Sequence, residues 1–300
     1  MDEAGTRPAL AGLCAGYIDR VARCGGPRTP AHHATRSRFH QRSAGQFRCR
    51  FAQTRDVGLV NVRAICFDAT GTLIETSENV GDVYRRAALD YGVDLPAWRL
   101  EDAFRRIVGG APPRGTEGNS MSARRSGEVN WWSERVRETF QATDSTARFE
   151  DFRGFAKTLF DHYRSADAWR LRPGTSEMLC EMRRRNLPLA IVSNFDHRLP
   201  EILKGIEIAN FFEFVAIPSK IGQAKPDAPP FEAVAARLDV PLTELVYVGD
   251  DSKESLRAIE ALGLQVVDMR DVEDLKTLPD RLGPTATLVH DPMLDESDCL

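Results

Sequence analysis

From Pro173-Gly174 onward the chain alternates between helical and strand-like segments, and this alternation constrains the fold more than any other feature. A helical segment from about Thr175 to Arg185 leads to the apolar run Leu189-Ala190-Ile191-Val192. Another near Arg198 to Lys204 leads to Phe214-Val215-Ala216-Ile217. A segment from about Pro230 to Leu238 leads to Leu245-Val246-Tyr247-Val248, and one from about Ser252 to Ala261 leads to Gln265-Val266-Val267. Short apolar runs bounded by turn residues suit strands covered on both faces. Strands separated by helices imply a parallel sheet with right-handed crossovers.

An earlier apolar run, Val62 to Phe67, supplies one more strand. Between it and the alternating block, residues from about 79 to 165 read as helices. Val80, Val83, Tyr84, Ala87 and Ala88 share one helical face, and Leu100, Ala103, Phe104 and Ile107 a second. Trp131, Trp132, Arg135, Val136 and Phe140 suggest a third, and Phe152, Phe155, Ala156, Leu159 and Phe160 a fourth. Gly109 to Gly127, with Pro112-Pro113 and several Gly and Ser, reads as a long loop. The expected fold is therefore α/β, a Rossmann-like parallel sheet core with an inserted all-α helical cap. The core is expected over 59–76 and 171–286, the cap over 77–170, and a flexible tail over 287–300.

Residues 1–58 differ in kind: rich in Arg, without Lys, poor in acids, and weakly periodic. Such a segment reads as a disordered leader, a transit segment or a mis-assigned start. The pair His32-His33 within it reads as solvated rather than metal-binding. Net charge is −4, which points to neither nucleic acid nor a membrane surface as partner. No apolar run approaches the roughly 18 residues of a membrane-spanning helix. The six cysteines, Cys14, Cys24, Cys49, Cys66, Cys180 and Cys299, are scattered, which suits free thiols in a reducing compartment. The expected location is cytoplasmic, or an organelle if the Arg-rich N-terminus is a targeting segment. Oligomeric state is not legible.

Four apolar runs end in polar residues. The first is followed by Asp68, Thr70 and Thr72; the second by Ser193-Asn194; the third by Ser219-Lys220 and then Lys225; the fourth by Gly249-Asp250-Asp251. In a parallel sheet these ends open onto one edge, where open α/β sheets bind ligands. Taken singly, each is ordinary turn or cap chemistry: Ser193, Asn194, Asp251 or Ser252 could each cap a helix. Together they place two carboxylates, a hydroxyl, an amide and an ammonium in one crevice.

These motifs, in this order and spacing over about Val62 to Leu278, resemble those of the haloacid-dehalogenase-like hydrolase superfamily, in its helical-cap branch. The resemblance implies that Asp68 is a nucleophile forming an aspartyl-phosphate. It implies that Ser193 binds a phosphoryl oxygen, with Asn194 beside it, and that Lys225 neutralises nucleophile and phosphate. Asp68, Asp250 and the backbone carbonyl of Thr70 are the implied Mg²⁺ ligands, and the implied partner is a small-molecule phosphate. Attack of a carboxylate on a phosphate dianion is repulsive, and one compensating unit charge at about 4 Å contributes roughly 4 kcal/mol at an effective dielectric of about 20. Thr72, Asn194 and Arg135 are the expected substrate contacts. For Trp131, Trp132 and Arg135 the competing reading is plain packing. His162 and His197 read as surface or capping residues.

The match departs at two positions. Phosphatases of this family carry a second aspartate where this chain has Thr70, and a threonine cannot serve as a general acid near neutral pH. D-x-T-G-T also resembles the phosphorylation motif of P-type ATPases, in which the aspartyl-phosphate is longer-lived. Phosphonate-cleaving members carry Ala there and halide-cleaving members an aromatic residue. The second acid of the last motif is replaced by Ser255, with Glu254 one residue earlier. Three readings remain open: a slow Mg²⁺-dependent phosphohydrolase, a catalytically inactive binding module on the same fold, and a dehalogenase.

Overall fold

The computed structural model describes residues 61–114 and 116–282. The expected leader and tail, His32-His33, Cys14, Cys24, Cys49 and Cys299 lie outside the described residues. Five parallel strands form one sheet: β1 (Ala64–Phe67), β4 (Leu189–Val192), β5 (Phe214–Ala216), β6 (Leu245–Gly249) and β7 (Gln265–Asp268), in the order β5-β4-β1-β6-β7. The central strand β1 pairs with β4 through Ile65↔Leu189 and with β6 through Ala64↔Leu245.

Side chains alternate across a strand, so β1 serves two apolar layers at once. Ile65 and Phe67 pack with Ile191, Val246 and Val248 against helices α5 (Thr175–Arg184), α6 (Leu199–Gly205) and α10 (Leu278–Arg281). Ala64 and Cys66 pack with Ala190, Val192 and Tyr247 against α8 (Ala228–Leu238) and α9 (Lys253–Ala261). Each fully buried Ile, Leu or Phe contributes about 1.5–3 kcal/mol. Cys66 is buried and Cys180 partly so, neither in a disulfide, and burial pushes the Cys66 thiol up.

The helical insertion comprises α1 (Val80–Leu89), α2 (Ala97–Gly109), α3 (Met121–Thr143) and α4 (Phe152–His162). It has its own core, with Tyr84 stacked on Phe140 at 6.1 Å and Phe155 edge-on to Phe140 at 5.1 Å. The loop expected over Gly109 to Gly127 is shorter, because α3 starts at Met121 with the Ser120 hydroxyl accepting from the Ala123 N–H at 3.1 Å. Ser, Arg and Gly hide this turn of helix in the sequence, but tertiary contacts hold it: Arg124 Nε donates to the Ser219 carbonyl at 2.9 Å.

Three-residue strands β2 (Ile74–Thr76) and β3 (Trp169–Leu171) pair antiparallel, Ile74 opposite Leu171, where the chain leaves and re-enters the sheet domain. The sequence does not display this ribbon, because its partners lie far apart along the chain and three residues carry no readable periodicity. The short helix α7 (Pro218–Ile221) follows β5. Among the described residues no helix is long and apolar enough to cross a membrane.

Candidate active site

The strand ends converge as parallel topology requires. Asp68 follows β1, and its N–H donates to the Val248 carbonyl of β6 at 2.8 Å. Its Oδ1 accepts from the Ala69 N–H at 2.8 Å. The chain then turns at Gly71, whose φ of +82° favours glycine, and a Cβ there would collide with the Asp250 carboxylate. Ser193 follows β4, is buried, and its hydroxyl hydrogen-bonds Asp68.

Lys225 reaches this point from the loop before α8. Its Nζ lies 3.1 Å from Asp68 Oδ1 and 3.1 Å from Asp251 Oδ2, and also donates to the Tyr247 hydroxyl at 2.5 Å. Tyr247 in turn donates to Asp251. The loop itself is clamped by Asn194: Lys225 N–H donates to Asn194 Oδ1 at 2.8 Å, and Asn194 Nδ2 donates to the Lys225 carbonyl at 3.0 Å. The Asn194 amide, expected to contact substrate, lines the polar pocket and also holds the lysine loop.

The cluster carries more acid than base. Asp68 and Asp251 hold one ammonium, and Asp250 lines the same pocket. Burial alone would lower Lys225, but Asp251 and Asp68 reverse that and hold it up, so it stays charged. Burial raises Asp68, Asp251 adds to the rise, and Lys225 and Ser193 oppose it. Asp250 is pushed up to about 7 by burial, then by Asp68 and Asp251. Like charges sharing a low-dielectric site have this effect. The polar pocket has a volume of about 100 Å³ and is lined by Asp68, Thr70, Ser193, Lys225, Asp250 and Asp251, with Pro112, Pro113 and Arg114 from the insertion.

Other expected residues fall elsewhere. Thr72 is fully buried outside the pocket lining, its hydroxyl without a hydrogen-bond partner. Arg135 does not line the pocket; it pairs with Glu138 at 2.7 Å and lies over Trp131, one helical turn away, at 5.4 Å. Ser252 caps α9, accepting from the Ser255 N–H at 3.1 Å, which places Ser255 buried in the first turn of the helix, while Glu254 is exposed. Asp251 is the second acid at this strand end. It read as a capping residue in the sequence, and Tyr247 as core. The available signal was a tyrosine in an otherwise aliphatic buried strand, since a buried hydroxyl usually finds a partner.

The insertion is fastened to the sheet domain beside the pocket. Asp196, fully buried, accepts from Arg198 Nε at 2.8 Å, from Arg198 Nη2 at 2.6 Å and from Trp132 Nε1 at 2.6 Å. Arg114 adds an ion pair at 3.8 Å and lies over the Trp132 ring at 4.7 Å. Burial would raise the Asp196 carboxyl, but Arg198 and Arg114 hold it well below the usual carboxylate range. His197 is a fastening too: its ring Nδ1 lies 2.6 Å from Glu128 Oε2 of α3, and its N–H donates to the same oxygen at 3.1 Å.

A sheet order centred on β1, with acid, hydroxyl and ammonium at its carboxyl edge, defines the class, and a family model agrees. That of the haloacid dehalogenase-like hydrolases matches residues 62–263, and the chain belongs to this family of hydrolases. Haloacid dehalogenase-like hydrolase domain-containing protein 3 of Xenopus laevis is 29% identical over 208 residues, covering 68% of this chain and 83% of that protein. Phosphoglycolate phosphatase of Shigella boydii serotype 4 (strain Sb227) is 25% identical over 222 residues, covering 70% and 81%. The crystal structure of a predicted phosphoglycolate phosphatase from Haemophilus somnus 129PT superposes with a TM-score of 0.55 at 18% identity, covering 74% of this chain and 99% of that one. At that identity the likeness shows a shared fold.

Proposed function

We propose that this chain is a Mg²⁺-dependent phosphohydrolase of a small phosphorylated metabolite, working through phosphorylation of Asp68. The observation that carries this reading is the cluster at the carboxyl edge of the sheet: Lys225 bridges Asp68 and Asp251, and Asp250 lines the same pocket. Among the described residues no group of three or more His, Cys, Asp and Glu is arranged to hold a metal by itself. Mg²⁺ does not need one, since it takes one or two carboxylates and keeps several waters. Asp68, Asp250 and the Thr70 carbonyl would hold it, and the excess acid fits a divalent cation. When bound, the ion supplies positive charge against the phosphate dianion and orients it.

The chain's own residues account for the remaining steps. A carboxylate oxygen of Asp68 attacks phosphorus, the bond from phosphorus to the ester oxygen breaks, and the alcohol departs after taking a proton from water. Water then attacks the phosphorus of the acyl phosphate, releasing inorganic phosphate and regenerating Asp68. Lys225 neutralises the nucleophile and the transferring group, and Ser193 donates to a phosphoryl oxygen. Thr70 offers a hydrogen bond but no acid, and the missing proton transfer slows turnover by about 10²- to 10⁴-fold.

The rival reading, an inactive binding module, draws on Thr70 and on Ser255, which stands in the first turn of α9 where an acid would be expected. A panel of phosphomonoesters titrated with Mg²⁺ separates the two. Metal-dependent phosphate release that Asp68→Asn removes supports the hydrolase; ligand-induced stabilisation retained in Asp68→Ala, without turnover, supports binding.

A further inference from the structure

The polar pocket is one half of a larger cavity. Across Thr70, Val108, Arg114 and Phe195, which line both halves, it continues into a chamber of about 170 Å³ between the helical insertion and the sheet domain. Val80, Tyr84, Phe104, Leu159, Phe160 and Trp169 form most of its wall. Among the described residues that line it there is no Asp, Glu, Lys or His. Three arginines border it, and each is engaged. Arg198 is bound to Asp196 and to the Phe160 carbonyl at 2.9 Å, Arg105 to Glu101 at 2.8 Å, and Arg114 to Asp196 and the Trp132 face.

A second carboxylate or phosphate on the ligand would lose its hydration in this mostly apolar lining, where the guanidinium groups already face Asp196 and Glu101. Apolar atoms would gain by leaving water. An engineered apolar cavity of about 150 Å³ accepts benzene, so this one suits a single aromatic ring or a chain of about six carbons. Three buried hydroxyls in the lining, Thr70 Oγ1, Thr76 Oγ1 and Tyr163 OH, have no hydrogen-bond partner. Thr70 stands at the junction, two residues from the nucleophile, where the ester oxygen must lie for the phosphate to reach Asp68.

We propose that the substrate is a phosphomonoester of an apolar alcohol, about one ring or six carbons in size and bearing no second charge, with its organic group in this chamber. For the position of the phosphate this rests on the phosphohydrolase reading. The full chain with Mg²⁺ is assayed on n-alkyl phosphates from methyl to decyl, whose leaving groups differ little in reactivity, and on benzyl phosphate, glycerol 3-phosphate and phosphoglycolate. We expect kcat/KM to rise about three- to fourfold per methylene up to about six carbons and then stop rising, with phosphoglycolate no better than methyl phosphate. Ala156→Trp, which fills the chamber from α4, should lower the hexyl-to-methyl ratio at least about tenfold; Val136→Phe does the same from α3 if the first variant melts early. In parallel, calorimetry compares n-hexylphosphonate with methylphosphonate, which need no turnover. Hydrolysis that ignores chain length or prefers phosphoglycolate overturns the substrate class and leaves the hydrolase reading standing. Tight binding of the hexyl compound alone, with no ester cleaved, supports the chamber and overturns hydrolysis. If the two phosphonates bind alike and no ester is cleaved, both fall.

Discussion

Two buried acidic centres lie close together at the end of β4, and they are built on opposite principles. Around Asp196 one carboxylate meets two guanidinium groups and an indole N–H, and its ionised form is favoured. At Lys225 two carboxylates, Asp68 and Asp251, share one ammonium with Asp250 beside them, and Asp68 and Asp250 are pushed up. The first centre is complete in its hydrogen bonds, both Asp196 oxygens being bound, and joins the insertion to the sheet domain. The second is incomplete, which is how folded proteins hold groups that must react or bind. Fastening and chemistry are therefore separable, and substitutions should separate them.

The largest expected effect is at Lys225. Lys225→Met leaves three carboxylates without their cation and should reduce turnover by about 10³-fold or more, while destabilising the metal-free protein by about 3–5 kcal/mol. Denaturant titration beside an activity assay measures both. Thr70→Asp works in the other direction: a carboxyl in place of the hydroxyl should raise kcat by about 10²-fold through restored proton transfer. No gain would mean that Thr70 does not face the departing oxygen.

Asp196→Asn tests the complete centre. It strands buried Arg198 and should cost about 3–5 kcal/mol of stability with a smaller effect on the chemical step. Its pH dependence has a definite sign. The folded-state value of Asp196 lies below its unfolded value, so its contribution is fully present above pH of about 4 and is lost as pH falls further. The melting-temperature gap between wild type and Asp196→Asn should be constant from neutral pH down to that point and narrow below it. The smallest expected change is Tyr247→Phe, which removes one hydroxyl shared by Lys225 and Asp251. It should cost about 1–3 kcal/mol, and kcat should fall while KM holds.

Much of this was legible in the sequence for a simple reason. A strand buried on both faces is a continuous apolar run, and in a parallel sheet every run delivers the residue after it to one edge, so Asp68, Ser193 and Asp250 could be placed from pattern alone. What escaped depends on contacts distant in sequence. The ribbon Ile74–Thr76 with Trp169–Leu171 exists only as a pair. The first turns of α3 look like loop until Arg124 and Glu128 reach Ser219 and His197. Asp251, Tyr247 and Asn194 acquire their tasks only once Lys225 arrives from its loop, and Arg135 is drawn aside by Glu138 and Trp131.

The most direct test is to look for phosphate on Asp68. Without an acid at position 70 to activate water, the acyl phosphate should persist long enough to trap. The protein is mixed with Mg²⁺ and a phosphomonoester that it hydrolyses, quenched in acid and digested. A single phosphoryl group is predicted on the peptide containing Asp68, absent from Asp68→Asn and diminished in Thr70→Asp as turnover rises. Turnover with no such adduct, or an adduct that survives in Asp68→Asn, would contradict the account.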